Sequence, residues 1–102
     1  MRLLVFFDLP VVKKEDRKEY QSFRRFLLND GYMMVQYSVY SRVCNGIDGA
    51  NKHILRLKRN LPSKGSVRYL QITEKQYSEM KFLVGSPKPQ EKYINSGQLN
   101  VF

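Results

Sequence analysis

The stretch "YMMVQYSVYSRV", residues 32–43, decides the fold. It is too rich in Tyr and Val for a loop and too long for one average strand, so it reads as two strands with a break or bulge near Gln36–Ser38. Everything on either side is then arranged around a pair of adjacent strands.

Upstream, Tyr20, Phe23 and Leu27 recur at helical spacing between Lys14 and Asn29, with Phe26 at the margin. Lys14, Arg17, Lys18, Gln21, Arg24 and Arg25 occupy the opposite side, and only Leu28 interrupts that cationic face. Gly31 in "NDGY" supplies the left-handed position that ends such a helix. Before it, "RLLVFFD" at 2–8 is a continuous apolar run with the length and branching of a central strand covered on both faces. That strand closes on a carboxylate, Asp8, with Pro10 two residues on.

Downstream of "CNGIDG", Ile47, Ala50, Ile54, Leu57 and Leu61 mark a second helix of about 47–60, with Lys52, Arg56 and Arg59 sharing one side and Pro62 preventing its continuation. "GSVRYLQIT" at 65–73 reads as a strand, and "TEKQ" offers a capping box, Thr73 with Gln76, for one short helical turn. "KFLVG" at 81–85 reads as a further short strand.

The order strand, helix, strand, strand, helix, strand is the ferredoxin-like (βαββαβ) α+β arrangement, an antiparallel sheet with both helices on one face. It occupies residues 1–85, and 86–102 read as a Pro-containing linker and a strand, because the chain closes on the apolar pair Val101 and Phe102. The face without helices needs cover, which predicts a homodimer packed sheet to sheet, with the 86–102 segment docking on the partner subunit.

Composition narrows the function. Among 102 residues, 18 Lys and Arg stand against 9 Asp and Glu, a formal charge of +9 that favours polyanionic partners, nucleic acid first. No apolar run approaches a membrane span and the opening lacks a signal-peptide pattern, so a cytoplasmic location is expected and no membrane partner. One Cys, Cys44, and one His, His53, exclude an intramolecular disulfide and a four-ligand zinc site from a single chain. Single-stranded RNA binding through paired aromatics of central strands is disfavoured, since "SVRYLQIT" lacks the required glycine-aromatic pattern.

Asp8 admits two readings. It organises the turn before Pro10, as Asp commonly does, or it holds a hard cation that activates water against a phosphodiester, a second copy across a two-fold axis supplying the missing carboxylate. Tyr37, Tyr40 and Arg42 either contact bases and phosphates at a dimer seam or pack within the sheet. The faces Lys14/Arg17/Lys18/Arg24/Arg25 and Lys52/Arg56/Arg59 either hold phosphates or are merely solvated.

Taken together, "RLLVFFDLP", "RKEYQSFRRFLLNDGYMMVQYSVYSRV" and "GSVRYLQITEKQY" resemble the Cas-two family of CRISPR-associated proteins, the small subunit of the spacer-acquisition machinery, over about residues 1–85. The strand-terminal Asp8 and "QYSVY", which answers to a Gln-x-Ser-Val-aromatic pattern with Tyr40 where many members have Phe, carry the likeness. "FRRFLLNDGYMMVQYSVYSR" looks most like members from systems with a single large RNA-guided effector nuclease. The resemblance implies a dimer whose C-terminal strand crosses to the partner's sheet. It also implies a metal-dependent endonuclease on RNA or DNA, with Asp8 as catalytic and metal-binding residue and Mg2+ or Mn2+ as cofactor. A second implied role is a bridge between CRISPR integrase dimers that holds duplex DNA through Lys14, Arg17, Lys18, Arg24, Arg25, Tyr40, Arg42, Arg56 and Arg59. Single-stranded RNA and the effector nuclease of the same system are further implied partners. Three classes stand side by side: adaptor, metal-dependent phosphodiesterase, and a toxin-like RNA-cleaving dimer of related fold.

Overall fold

The computed structural model describes residues 1–87. Seven elements follow in order: β1 (Arg2–Asp8), α1 (Lys14–Asn29), β2 (Met33–Gln36), β3 (Val39–Val43), α2 (Gly46–Lys58), β4 (Ser66–Ile72) and α3 (Glu74–Ser78). The stretch 32–43 is a hairpin, as its composition requires. Its turn is Tyr37–Ser38, where Ser38 adopts φ 64°, and a register shift between Met34 and Gln36 adds a bulge on the β2 side.

The sheet is antiparallel throughout, in the order β2-β3-β1-β4, which is the ferredoxin-like arrangement. β1 lies inside it, paired to β3 on one edge and to β4 on the other. Alternation along β1 sends Leu3, Val5 and Phe7 toward the helices, where they pack with Phe23 and Leu27 of α1 and with Ala50, Ile54 and Leu57 of α2. Phe7 gathers aromatic neighbours there, with ring centroids 5.2 Å from Phe23, 5.6 Å from Tyr40 and 6.1 Å from Tyr20. α1 ends where expected, with Gly31 at φ 94° and the amide of Tyr32 donating back to the Leu27 carbonyl.

Three expectations need correction. The second helix stops at Lys58, so its buried stripe is Ala50, Ile54 and Leu57, while Ile47 and Leu61 are exposed. Residues 81–85 form no strand: Leu83 and Val84 are 96% and 93% exposed, and an apolar run becomes a strand only where a neighbouring backbone offers a ladder. The face of the sheet away from α1 and α2 is also not wholly bare. The Thr73–Gln76 capping box forms and starts α3, which sets the buried Tyr77 against Arg2. The docking strand expected within 86–102 falls, beyond Pro87, outside the described residues. Among the described residues, no helix is long and apolar enough to cross a membrane.

Arg2 explains how α3 is held. Its side chain is 1% exposed, yet its Nε and Nη2 donate to both carboxylate oxygens of Glu74 at 2.8 and 2.7 Å, and its guanidinium lies 3.8 Å from the Tyr77 ring centroid. Burial by itself would lower the Arg2 pKa, but the Glu74 carboxylate and, to a lesser extent, Tyr77 together offset it and the net direction is up. Glu74→Ala strips a buried cation of its bidentate partner and is expected to cost about 2–4 kcal/mol in urea unfolding, reduced from the fully buried case by the exposure of Glu74. A loss below about 0.5 kcal/mol, the size of an ordinary surface substitution, would show that α3 is not secured through Arg2.

Candidate functional site

β1 delivers Asp8 to the sheet's end as an exposed carboxylate whose side chain has no hydrogen bond or ion pair among the described residues. Its backbone, in contrast, is tightly held. Asp8 pairs with Ser66, and Gly65, at φ 84°, lies so close that a Cβ there would collide with the Asp8 carbonyl oxygen. Only glycine combines that approach with that conformation.

The loops that frame this end are anchored by α1. Glu19 accepts from the Ser63 hydroxyl at 2.7 and 2.9 Å, and Asp16 lies 3.7 Å from the Lys64 ammonium, which fixes the α2–β4 connection and so places Gly65. Arg17 Nη1 donates to the carbonyls of Val11 and Val12 at 3.2 and 2.6 Å, holding the β1–α1 loop just beyond Asp8. Over the ends of β1 and β4 and against the turn of the β2–β3 hairpin lies an open cleft of about 610 Å3, bordered by Phe6, Asp8, Ser38, Val39, Ser66 and Arg68 among others.

The cationic residues expected to bind nucleic acid divide into two groups. Lys14, Arg17, Lys18 and Arg25, with Gln21, line a shallow groove along exposed α1, and the short β1–α1 loop puts its N-terminal end on the Asp8 side of the molecule. Arg59 is exposed as well, at the end of α2. The others, and Arg17 through its bonds to the Val11 and Val12 carbonyls, are occupied within the fold. Arg24 is exposed but donates its Nε to the Tyr40 hydroxyl at 3.1 Å. Arg42 reaches back over Gly31 to donate to the Asp30 carbonyl and, at 3.1 Å, to that of Val43. Arg56 pairs with the Asp30 carboxylate. Tyr40 is a correction: at 1% exposure, pressed against Phe7 on the helix side, it offers no face on which a base could stack. Arg42 points to the same side and serves the end of α1 rather than a seam on the opposite face.

Sequence reading missed two features. The first is the β4 side of the cleft, Ser66 and Arg68, with Gly65 just before it; "GSVR" shows the alternation but not the register that sets it beside Asp8. The second is a buried polar cluster at the opposite end of the sheet. There the Asp30 carboxylate, 1% exposed, holds Arg56, and His53 Nδ1 sits 3.7 Å away. Burial pushes the His53 pKa down, and Arg42 adds to this against the pull of Asp30. Burial and Asp30 together raise the Tyr32 phenol to about 12.

These features define the class: a ferredoxin-like protein with a solvent-facing strand-end carboxylate beside cationic surfaces. The family described as CRISPR associated protein Cas2 matches residues 1–80, and the chain belongs to that family. It is 63% identical over 102 residues to the CRISPR-associated endoribonuclease Cas2 of Acidovorax ebreus, covering 100% of both chains. To the protein of the same name from Ligilactobacillus salivarius it is 53% identical over 85 residues, 83% of this chain and 84% of that one. Its fold resembles the crystal structure of Streptococcus pyogenes Cas2 at pH 6.5, with a TM-score of 0.61 at 21% identity, covering 82% of this chain and 100% of that one.

The depressed His53 pKa sets a pH dependence. Because the unfolded chain binds this proton more readily, stability conferred by neutral His53 is complete above the ordinary value of 6.5 and declines as pH falls from there toward the lower folded value. Thermal unfolding is expected to show this decline in the native sequence and a flatter profile in His53→Gln. Identical profiles would remove His53 as the cause.

Proposed function

We propose that this Cas2-family chain is a metal-dependent endoribonuclease that works as a homodimer, with the Asp8 carboxylates at the seam between two sheets. The observation that carries this reading is Asp8 itself: exposed, free of any partner among the described residues, and fixed through its backbone by β4 and Gly65. A carboxylate serving only to shape its own turn would be engaged with neighbouring backbone amides. The names of the relatives from Acidovorax ebreus and Ligilactobacillus salivarius point the same way.

The donor chemistry fits a hard cation. Asp8, Ser38 and Ser66 border the cleft with oxygen atoms only, which suits Mg2+ or Mn2+ and not zinc. Among the described residues no group of three His, Cys, Asp or Glu gathers anywhere, so one chain supplies a single carboxylate. Magnesium habitually completes its shell with water and substrate phosphate oxygens, and a second Asp8 would come from the partner subunit. The ion would supply charge neutralisation and an acidified water. The protein supplies the anchored carboxylate and an open approach for the phosphodiester. Dimerisation is favoured by the outer sheet face, where Val43 and Leu70 are exposed and Phe6 and Val39 half-buried.

A second role rests on a separate observation. The groove of Lys14, Lys18 and Arg25 carries no acid among its lining residues, and the chain's net charge is +9. That surface suits the backbone of duplex DNA, held while the protein bridges CRISPR integrase dimers, with the effector nuclease of the same system as a further partner. This role needs no chemistry at Asp8.

Asp8→Asn keeps size and removes charge. Cleavage of single-stranded RNA by the purified dimer in Mg2+ or Mn2+ is expected to fall by about 100-fold or more, the scale of losing a principal electrostatic group, with dimer mass, melting temperature and duplex DNA affinity retained. Spacer acquisition is expected to persist. Undiminished cleavage would refute the nuclease assignment, and loss of acquisition alone would refute the adaptor role as independent of Asp8.

A further inference from the structure

Tyr40 is 1% exposed and packs against Phe7, yet its hydroxyl is tied to the surface: it accepts a hydrogen bond at 3.1 Å from Nε of Arg24, an exposed residue of α1. A buried tyrosine hydroxyl ordinarily finds a partner, and the chemistry of this one is informative. Arg2 and Arg56 are bound to carboxylates, which offset their charge. Arg17 and Arg42 give terminal nitrogens to backbone carbonyls. Arg24 differs from all four. It is held through Nε alone, by a neutral acceptor, so its charge is uncompensated and Nη1 and Nη2 have no partner among the described residues.

Helix geometry gives its position. Arg24 stands three residues beyond Gln21 and seven beyond Arg17, on adjoining turns of one side of α1, and Arg25 follows it in the chain. Arg17, Gln21 and Arg25 line the shallow groove with Lys14 and Lys18, so Arg24 adds a cation at the border of that groove. α1 packs on the face of the sheet opposite to the one on which two subunits would meet, so this surface stays open in a dimer packed sheet to sheet.

Lys14, Lys18 and Arg25 make no hydrogen bond or ion pair among the described residues, and each must surrender rotamer freedom when it takes hold of a phosphate. Arg24 starts with its guanidinium already fixed at one nitrogen, so less freedom is lost. The two terminal nitrogens that remain form a planar fork that matches two oxygens of a phosphate.

We propose that the Tyr40 hydroxyl is a positioning group, holding Arg24 so that its guanidinium grips a phosphate of duplex DNA laid along α1. The proposal rests on the duplex-holding reading of that surface. It gives Tyr40 a part in nucleic-acid binding with no contact to a base: the ring belongs to the core beside Phe7, and the hydroxyl acts through Arg24.

The test uses full-length protein in four forms: native sequence, Tyr40→Phe, Arg24→Gln and the double variant. Affinity for a fluorescent DNA duplex of arbitrary sequence is measured by anisotropy over a series of salt concentrations. Arg24→Gln is expected to weaken binding about 10- to 100-fold at low salt and to reduce the slope of log Kd against log salt by about one, as for the loss of one phosphate contact. Tyr40→Phe removes only the hydroxyl. It is expected to weaken binding about 2- to 10-fold, the range for ordering one long side chain, with the salt slope unchanged because the charge remains. In the Arg24→Gln background Tyr40→Phe should have no further effect, and all four forms should keep the native dimer mass.

Native affinity in Tyr40→Phe would overturn the proposal. So would an equal loss from Tyr40→Phe with Arg24 present and absent, which would mark a general disturbance of the fold. Undiminished binding by Arg24→Gln would overturn it as well, while leaving the duplex-holding reading to Lys14, Lys18 and Arg25. Absence of salt-dependent duplex binding by the native protein would overturn both.

Discussion

The pairing of β1 along both of its edges is the constraint from which the rest follows. A strand hydrogen-bonded to β3 over Arg2–Phe6 and to β4 over Arg2–Asp8 has no freedom to slip, because a one-residue shift would exchange Leu3, Val5 and Phe7 for Arg2, Leu4 and Phe6 against the helices. Fixing β1 fixes its two ends. At one, Arg2 is locked beneath α3; at the other, Asp8 is carried into solvent on a backbone that cannot move. A carboxylate so placed meets the requirement of a binding site that its supporting atoms be rigid while its reactive atoms stay accessible.

The excess of positive charge serves two distinct purposes. Much of the arginine complement satisfies the fold: Arg42 and Arg17 cap stray carbonyls, and Arg2 and Arg56 neutralise Glu74 and the buried Asp30. Guanidinium suits this work, since it supplies several donors in a fixed plane and never loses its charge. Other cations, among them Lys14, Lys18, Arg25, Arg59 and Arg68, lie on the surface. A count of basic residues therefore overstates the surface available to a polyanion, and the distinction matters for choosing which side chains to alter.

The elements were legible because their signals are local. The apolar run before Asp8, the 3.6-residue recurrence in α1, the terminating Gly31 and the Thr73–Gln76 box each depend on a few neighbouring residues, and each occurs as read. The strand at 81–85 did not, because pairing depends on what lies alongside, which no local pattern records. Tyr40 misled for a related reason: alternation along β3 was visible, but which alternate faced the helices was set by its partner Val5. Asp8 was found because it breaks an apolar run. Arg68 was not, since a lone arginine in a strand carries no signal until register brings it beside Asp8.

The most direct measurement is where a divalent cation binds in solution. Titrating the isotopically labelled protein with substoichiometric Mn2+ and recording amide broadening is expected to bleach resonances around Asp8, Ser38 and Ser66, with the effect removed by Asp8→Asn. Broadening centred instead on the acidic residues of α1, Glu15, Asp16 and Glu19, or left unaltered by Asp8→Asn, would contradict the account.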